Sequence, residues 1–181
     1  YNDGLQNYSD WASVVTSYLT ECENGEYMKV QAFELGGHVY IDYIDKNFNL
    51  LRSKEIDTGM RYFGGFYETE DNYYILSGKN NPKSDDSCEV MRITKYDKSW
   101  NKIKSAKLYG GNTCEIFAGG SARMAHKDNY LFIKTCHTMY DFGDGLHHQA
   151  SLMIIVDMNT MKIVGKQLDV SNNVSHSFNQ F

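Results

Sequence analysis

The sequence predicts an all-β fold made of about three four-stranded antiparallel units, each a blade of a β-propeller. The main observation is a repeated pattern in which a hydrophobic strand, an aspartate, a short turn, a large apolar residue and a second strand follow one another. Its aspartates are Asp45, Asp97 and Asp157, which lie 52 and 60 residues apart. Repeats of roughly 40 to 50 residues with several strands each are typical of propeller blades. A content of 15 Gly and 14 Tyr with a single Pro also suits twisted sheets with glycine turns.

The first predicted unit covers residues 18–62. Asn24-Gly25 stands between two strand-like runs and predicts a hairpin of 17–22 with 26–34, in which both turn residues take positive φ. The alternation of Val39, Ile41 and Tyr43 predicts a further strand with one buried face. Residues 1 to about 16 allow two interpretations, either a short helix capped by Asp10 or an early start of the first strand.

The second and third units are predicted at 63–118 and 119–174. The turn Asp71-Asn72-Tyr73 recurs as Asp128-Asn129-Tyr130, which supports two copies of one pattern. Residues 174–181 read as the start of a further blade. Because closed propellers usually have four to eight blades, we expect residues 1–181 to be a single domain that is part of a larger propeller. The missing blades would come from the rest of a longer chain or from a partner chain.

Composition narrows the possible partners. A net charge of −5, with Lys and Arg scattered among Asp and Glu, argues against nucleic-acid binding. No run of about 18 apolar residues exists, so no transmembrane segment is expected. The four cysteines form no CxxC pair, which argues against zinc and leaves free thiols and disulfides both open. They are Cys22, Cys88, Cys114 and Cys136.

Polar residues of the later units are the candidate ligand-binding groups. If they meet near the propeller channel or one of its mouths, they could hold an anion, a metal ion or a glycan. The competing interpretation is that each histidine bonds the backbone of a neighbouring blade and locks the ring of blades. The candidates are Arg123, His137, Tyr140, His148 and His176.

The loop at 141–145 is the candidate metal site. Asp141 and Asp144 stand three residues apart with glycines nearby, and calcium prefers oxygen ligands on such loops. The loop lacks the third acid and the distal Glu of an EF-hand, so a plain Asp-Gly turn is the alternative. No cofactor is otherwise expected, and no GxSxG nucleophile motif occurs.

Several long runs resemble a propeller-type domain of exported or surface proteins of Gram-positive, Clostridia-like bacteria. These runs are 63–67, 89–100, 123–124, 137–140, 144–150 and 175–181. The resemblance covers most of the chain from about Tyr18 onward. It implies a β-propeller with a secretory route, located outside the cell or at its surface, and it implies no established enzymatic activity.

Function is therefore expected to be binding. The first hypothesis is a secreted or cell-surface module that recognises a protein, a glycan or a wall component. The alternative hypothesis is an enzyme, a hydrolase or lyase acting on an extracellular polymer, with a His and Arg site at the channel mouth.

Overall fold

The computed structural model describes residues 15–33, 36–117, 122–141 and 143–170, with side chains as far as Leu168. Within these ranges the chain forms 13 strands in three antiparallel sheets and no helix. The prediction of an all-β chain with three antiparallel units of about four strands is confirmed. Most of the segment with two interpretations, residues 1–14, lies outside the described residues, as do the predicted further blade at 174–181 and His176.

The first sheet has the order β1-β2-β3-β4. Its strands are β1 (Ser17–Glu21), β2 (Tyr27–Ala32), β3 (His38–Ile44) and β4 (Leu50–Asp57). The predicted hairpin is present, but only one of its two turn residues, Gly25, has positive φ (77°). The expectation for Asn24 is wrong because the loop is longer than two residues. It is closed by Cys22 N donating to Glu26 O (2.7 Å), and the Asn24 side chain accepts from the Glu26 amide.

The second sheet has the order β5-β6-β7-β8. Its strands are β5 (Tyr62–Glu68), β6 (Asn72–Gly78), β7 (Glu89–Asp97) and β8 (Lys102–Tyr109). Gly64 and Gly78 allow close approach of the segment that follows β8. A Cβ atom on Gly64 would lie 2.3 Å from the Phe117 ring, and one on Gly78 would lie 2.5 Å from Ile116.

The third sheet has the order β10-β11-β12-β13, with a short extra strand, β9, on β11. Its strands are β9 (Glu115–Ile116), β10 (Arg123–Lys127), β11 (Tyr130–Thr138), β12 (Gln149–Asp157) and β13 (Lys162–Val170). The three sheets follow one another along the chain in the order of the predicted units. The assignment of residues 1–181 to one domain stays a prediction.

The repeated aspartate shapes the turn between the third and fourth strands of the first two sheets. Asp97 Oδ1 accepts from the amides of Ser99 (2.9 Å) and Asn101 (2.8 Å), and its Oδ2 accepts from the Asn101 side chain (2.9 Å). Asp45 makes the same bonds to the corresponding residues 47 and 49. These bonds satisfy backbone donors that the bulged turn would otherwise leave unpaired.

The turns that follow Asp45, Asp97 and Asp157 each end with a large residue whose backbone lies in the left-handed region. The φ angles are 67° at Phe48, 62° at Trp100 and 51° at Met161. The third turn is one residue longer, since Met161 N donates to Asp157 O four residues back, whereas Trp100 N donates to Asp97 O three residues back. Non-glycine residues rarely adopt positive φ, so the aspartate bonds offset a conformational cost at this position.

The core consists of two layers between sheets. One layer joins the first and second sheets and contains Ile41, Tyr73 and Trp100; the other joins the second and third and contains Ile93 and Ile154. The middle sheet is thus covered on both faces. The order and packing of the sheets place equivalent turns at the same end of the stack, because Trp100 of the second sheet contacts Tyr43, just before the first-sheet turn.

No disulfide joins the four cysteines, all of which lie among the described residues, and Cys114 and Cys136 are buried. Among the described residues none belongs to a helix with the length and hydrophobicity needed to span a bilayer.

Candidate functional site

The predicted ligand-binding residues that the structure describes lie toward one end of the third sheet. Arg123 begins β10, His137 lies near the end of β11, and Tyr140 and His148 follow and precede strands at that same end. His137, Tyr140 and His148 contact different sets of partners. The assignment of these residues to ligand binding stays a prediction.

His137 has no exposed surface. Its Nε2 lies 2.8 Å from the carbonyl oxygen of Leu168, which can only accept, so Nε2 carries a proton and donates. Its Nδ1 shares a 2.7 Å hydrogen bond with the hydroxyl of Thr113. Both ring nitrogens are therefore used inside the third sheet and its neighbouring loop, whereas the locking interpretation expects a bond to the backbone of a neighbouring blade.

Tyr140 belongs to a network that connects the second and third sheets. Its hydroxyl donates to Asp86 Oδ1 (3.2 Å) and accepts from Asn81 Nδ2 (3.0 Å). Burial and the hydrogen bond to Asp86 raise the pKa of Tyr140 to about 12. The phenol is therefore neutral at physiological pH, and its role in this network is to fix the loop after β6.

The carboxylates of the 141–145 loop are engaged in the loop's own bonds. Asp141 Oδ1 accepts from the amides of Gly143 (2.7 Å) and Gly145 (3.0 Å). Asp144 Oδ2 pairs with His148 Nε2 at 2.7 Å, and this bond holds the pKa of the Asp144 carboxyl below its usual range. The geometry is that of the Asp-Gly turn, and calcium binding stays a prediction.

A cleft of about 610 Å³ lies at the opposite end of the strands, between the first and second sheets. It is bounded by the β1–β2 loop, β3, β4 and the turns that flank β6 and β8. Its polar and aromatic lining comes from both sheets: Glu21, Cys22, Glu23, Glu26, Tyr43, Arg52, Glu68, Glu70, Tyr73 and Lys98.

Two cations in this cleft are fixed by the same arrangement. Arg52 pairs with Glu26 (2.8 Å) and lies 3.7 Å from the centre of the Tyr43 ring. On the opposite wall Lys98 pairs with Glu68 (2.7 Å) and lies 4.3 Å from the centre of the Tyr73 ring. Each cation is thus held by a carboxylate and an aromatic face, which restricts its rotamers.

The ionisation of the cleft follows from these pairs. The hydrogen bond from Arg52, and next that from Asn24, hold the pKa of Glu26 below its usual value. Burial, followed by the charges of Glu68 and Glu26, raises the pKa of the Cys22 thiol. The cleft therefore presents the ionised Glu26 carboxylate near an uncharged thiol, and Cys22 is not an activated nucleophile.

The sequence interpretation missed this cleft. Its residues carry no motif, and three of them lie in or beside turns that were read only as structural repeats. A signal was present, since the Asn24-Gly25 hairpin and the turns at Asp45 and Asp97 would meet at one end of stacked sheets. That geometry brings Glu26, Arg52 and Lys98 together.

Comparison with known proteins gives a likeness in structure alone. No protein-family model matches the chain, and no curated protein matches it in sequence. A solved structure of an ACO/RPE65 chimera in a monoclinic crystal form matches with a TM-score of 0.53 at 12% identity, covering 91% of this chain and 41% of the other. A second structure of such a chimera matches with a TM-score of 0.53 at 11% identity, covering 85% and 38%.

A third match is lignostilbene dioxygenase from Pseudomonas brassicacearum, with a TM-score of 0.49 at 9% identity, covering 89% of this chain and 40% of the other. The chain thus spans about two fifths of the length of the structures it matches. At these identities the likeness to the two chimera structures shows a shared fold.

The comparison corrects the first functional hypothesis. The hypothesis of a binding module is wrong, because the structural likeness is to the two ACO/RPE65 chimeras. The alternative hypothesis, an enzyme, agrees better with them. The resemblance to exported Gram-positive domains is tested by none of these matches and stays a prediction, as does an extracellular location.

The residues that the structure describes do not fit the metal site of a metal-dependent oxygenase. Non-haem iron is typically held by convergent imidazole and carboxylate groups. Across residues 15–33, 36–117, 122–141 and 143–170, no three His, Cys, Asp or Glu side chains are placed to share an ion. The His137 ring, the most deeply buried imidazole described, is already bonded at both nitrogens.

Proposed function

We propose that this chain is part of an enzyme built on a β-propeller, and that the cleft between the first and second sheets binds the substrate. The stacking of three antiparallel sheets in chain order, two with four strands and one with a short fifth strand, supports the propeller. The structural neighbours support an enzyme over an adhesive module. The substrate class is a polar, hydroxyl-rich polymer, and the reaction is hydrolysis or elimination.

The observation that carries this proposal is the pair of matched walls in the cleft. Each wall holds one cation, one carboxylate and one tyrosine ring: Arg52, Glu26 and Tyr43 on one side, and Lys98, Glu68 and Tyr73 on the other. Cations held rigidly before substrate arrives stabilise developing negative charge at little reorganisation cost. Carboxylates and phenols supply acceptors and donors for hydroxyl groups.

Two carboxylates on facing walls also suit cleavage of a bond held between them. Glycoside hydrolysis, for example, uses a pair of carboxyl groups on either side of the scissile bond. The hydrogen bond from Arg52 lowers the pKa of Glu26 and so keeps this carboxylate in its ionised form, the form that can accept a proton. Five glutamates against one Arg and one Lys make the lining acidic, which favours neutral or cationic polymers over polyanions.

A turnover screen tests this function. The protein is incubated with soluble neutral and amino-sugar polysaccharides, and new reducing ends and unsaturated products are quantified. Glu26→Gln should reduce the rate on any accepted polymer by roughly 100-fold, the usual size of a lost acid–base group. Glu115→Gln, which changes an exposed glutamate on β9, should leave the rate unchanged. Absence of turnover by the wild-type protein, or full activity of Glu26→Gln, would contradict the proposal.

A further inference from the structure

The two junctions between sheets repeat one contact. At each junction, the turn after the third strand of one sheet contacts the sheet that precedes it in the chain. The contacted residue lies two positions before the turn aspartate of that preceding sheet. At the first junction Trp100 Nε1 donates to Tyr43 Oη (3.0 Å), and at the second Lys95 Nζ donates to Met158 O (3.0 Å). Each turn therefore docks on a fixed position of the sheet before it.

Phe48 occupies the corresponding turn position in the first sheet. It shares the positive φ of Trp100 and Met161. Trp100 and Met161 are only 4% and 3% exposed because a preceding sheet covers them, whereas Phe48 is 83% exposed. The backbone thus presents a large aromatic side chain at a junction position that the described chain does not cover.

Other apolar side chains surround Phe48 on the open face of the first sheet, the face that carries Tyr40, Asp42 and Ile44. Strand pairing places Leu19 and Leu50 on this face, and Phe33 packs edge-on against Tyr40. These are large hydrophobic side chains that remain exposed: Leu19, Phe33, Phe48 and Leu50. A group of this kind on one face marks an interaction surface.

The third sheet offers a matching open face, which carries Phe132, Met153 and Ile155. These residues are half-buried and point away from the second sheet, since the alternate residues, such as Ile154, fill the core. Ile155 lies two positions before Asp157. It therefore occupies the position that Tyr43 and Lys95 use to receive the turn of the next sheet.

The charges of the two open faces are opposite. The open face of the first sheet has Asp42 and Glu55 against Lys29, and that of the third sheet has Lys127 and Lys134 against Asp157. Complementary charge favours this pairing of faces over the pairing of either face with itself.

We propose that two copies of this chain associate head to tail, with the open face of the first sheet of one copy on the open face of the third sheet of the other, and with Phe48 seated on Ile155. This contact continues the same junction that joins the sheets within one chain. It is heterologous, because the two copies contribute different surfaces.

Sedimentation velocity over a concentration series tests the association. The wild-type protein should form species larger than the 20.8 kDa monomer. Phe48→Asn and Ile155→Thr should each weaken association by roughly tenfold or more, as for central residues of an interface. Asn tolerates positive φ and Thr suits a strand, so both variants should keep the wild-type melting temperature. Ile103→Thr, at an exposed position on β8, is the control and should associate like wild type.

Mixing the two variants tests the head-to-tail geometry. Phe48→Asn retains Ile155, and Ile155→Thr retains Phe48, so one intact junction forms between the two variants although each variant alone forms only weakened junctions. The mixture should therefore recover dimers. A wild-type protein that stays monomeric at every concentration overturns the proposal. So does unchanged association of Phe48→Asn, or a mixture with no more dimer than its components.

Discussion

The indole N–H of Trp100 donates a 3.0 Å hydrogen bond to the hydroxyl of Tyr43 and so connects a turn of the second sheet to a strand of the first. The indole also stacks on Tyr73, with ring centres 4.3 Å apart. The structure therefore uses one buried residue to fix both the turn and the junction.

A double-mutant cycle on this pair should give a measurable coupling energy. Trp100→Phe keeps an aromatic ring but removes the donor, and Tyr43→Phe removes the acceptor. We expect each change to cost about 1 kcal/mol and the pair to show coupling of about 0.5–1.5 kcal/mol, because the second change removes a bond already lost. Urea unfolding of the four proteins measures this, and strictly additive losses would show that the bond contributes nothing.

Gly78→Ala should destabilise the protein by about 1–3 kcal/mol, as expected for overpacking. The new Cβ atom would lie 2.5 Å from the backbone oxygen of Val90 and 2.5 Å from Ile116 Cδ1. Gly65→Ala is the matched control on the neighbouring strand, because its nearest neighbour, at 3.1 Å, is the flexible end of Met124. Thermal unfolding compares the two, and equal melting temperatures would contradict the close packing around Gly78.

His137→Gln should lower the free energy of unfolding by about 2–3 kcal/mol, because it disturbs a fully buried ring bonded to Thr113 and Leu168. His148→Gln should change it by less than about 0.5 kcal/mol, because His148 is partly exposed and pairs only with the nearby Asp144. Chemical unfolding of both variants separates a structural histidine from a surface one. Wild-type stability of His137→Gln would contradict a structural role for this ring.

Stability should fall as the pH is lowered below about 4. Hydrogen bonds hold the pKa of the Asp45, Asp97 and Asp157 carboxyls below the usual value. At Asp45 and Asp97 the largest contribution comes from the side chain of the Asn that follows the turn, and at Asp157 it comes from the Thr160 amide. The unfolded chain, with Asp pKa values near 3.9, binds more protons than the folded one. The contribution is therefore complete above the unfolded pKa and is lost as the pH falls through the lower folded pKa.

The Asp97→Asn variant tests the contribution of one turn carboxylate to the pH dependence of stability. Melting temperatures measured from pH 7 to pH 2.5 should fall less steeply in this variant than in the wild type. Asp128→Asn is the control, since Asp128 is exposed and has a positive φ that Asn also tolerates. Identical melting-temperature profiles for the wild type and Asp97→Asn would show that the Asp97 carboxylate does not cause the loss of stability at low pH.

The sheets could be predicted because their signals are local. The aspartate turns, the Asn24-Gly25 hairpin and the alternation of Val39 and Ile41 each lie within a few residues, and the strands formed where these patterns indicated. The two-residue strand β9 was not predicted because it is held by pairing with His137 and by packing on Gly64 and Gly78, contacts that are distant in sequence.

The candidate site was harder to predict for the same reason. A histidine on a strand gives no sign of whether a distant hydroxyl and carbonyl will occupy its nitrogens, as Thr113 and Leu168 do for His137. The cleft needs Glu26 and Arg52 to meet from positions 26 residues apart, and Lys98 to reach Glu68 across another strand pair. Sequence periodicity predicts which face of a strand each side chain lies on. The pairing of side chains from different loops depends on how the sheets stack, which periodicity does not predict.

At the left-handed residue that ends each aspartate turn, the backbone conformation and the identity of the side chain are constrained by different interactions. The backbone there is specified by polar bonds to the aspartate, so the side chain itself is not needed to form the turn, and Phe48, Trp100 and Met161 all occur. Substitutions at this position can therefore alter what a sheet packs against while the sheet itself is preserved. A lineage could exchange, add or lose neighbouring sheets through single codon changes at these sites, and a protein engineer could recombine sheets in the same way.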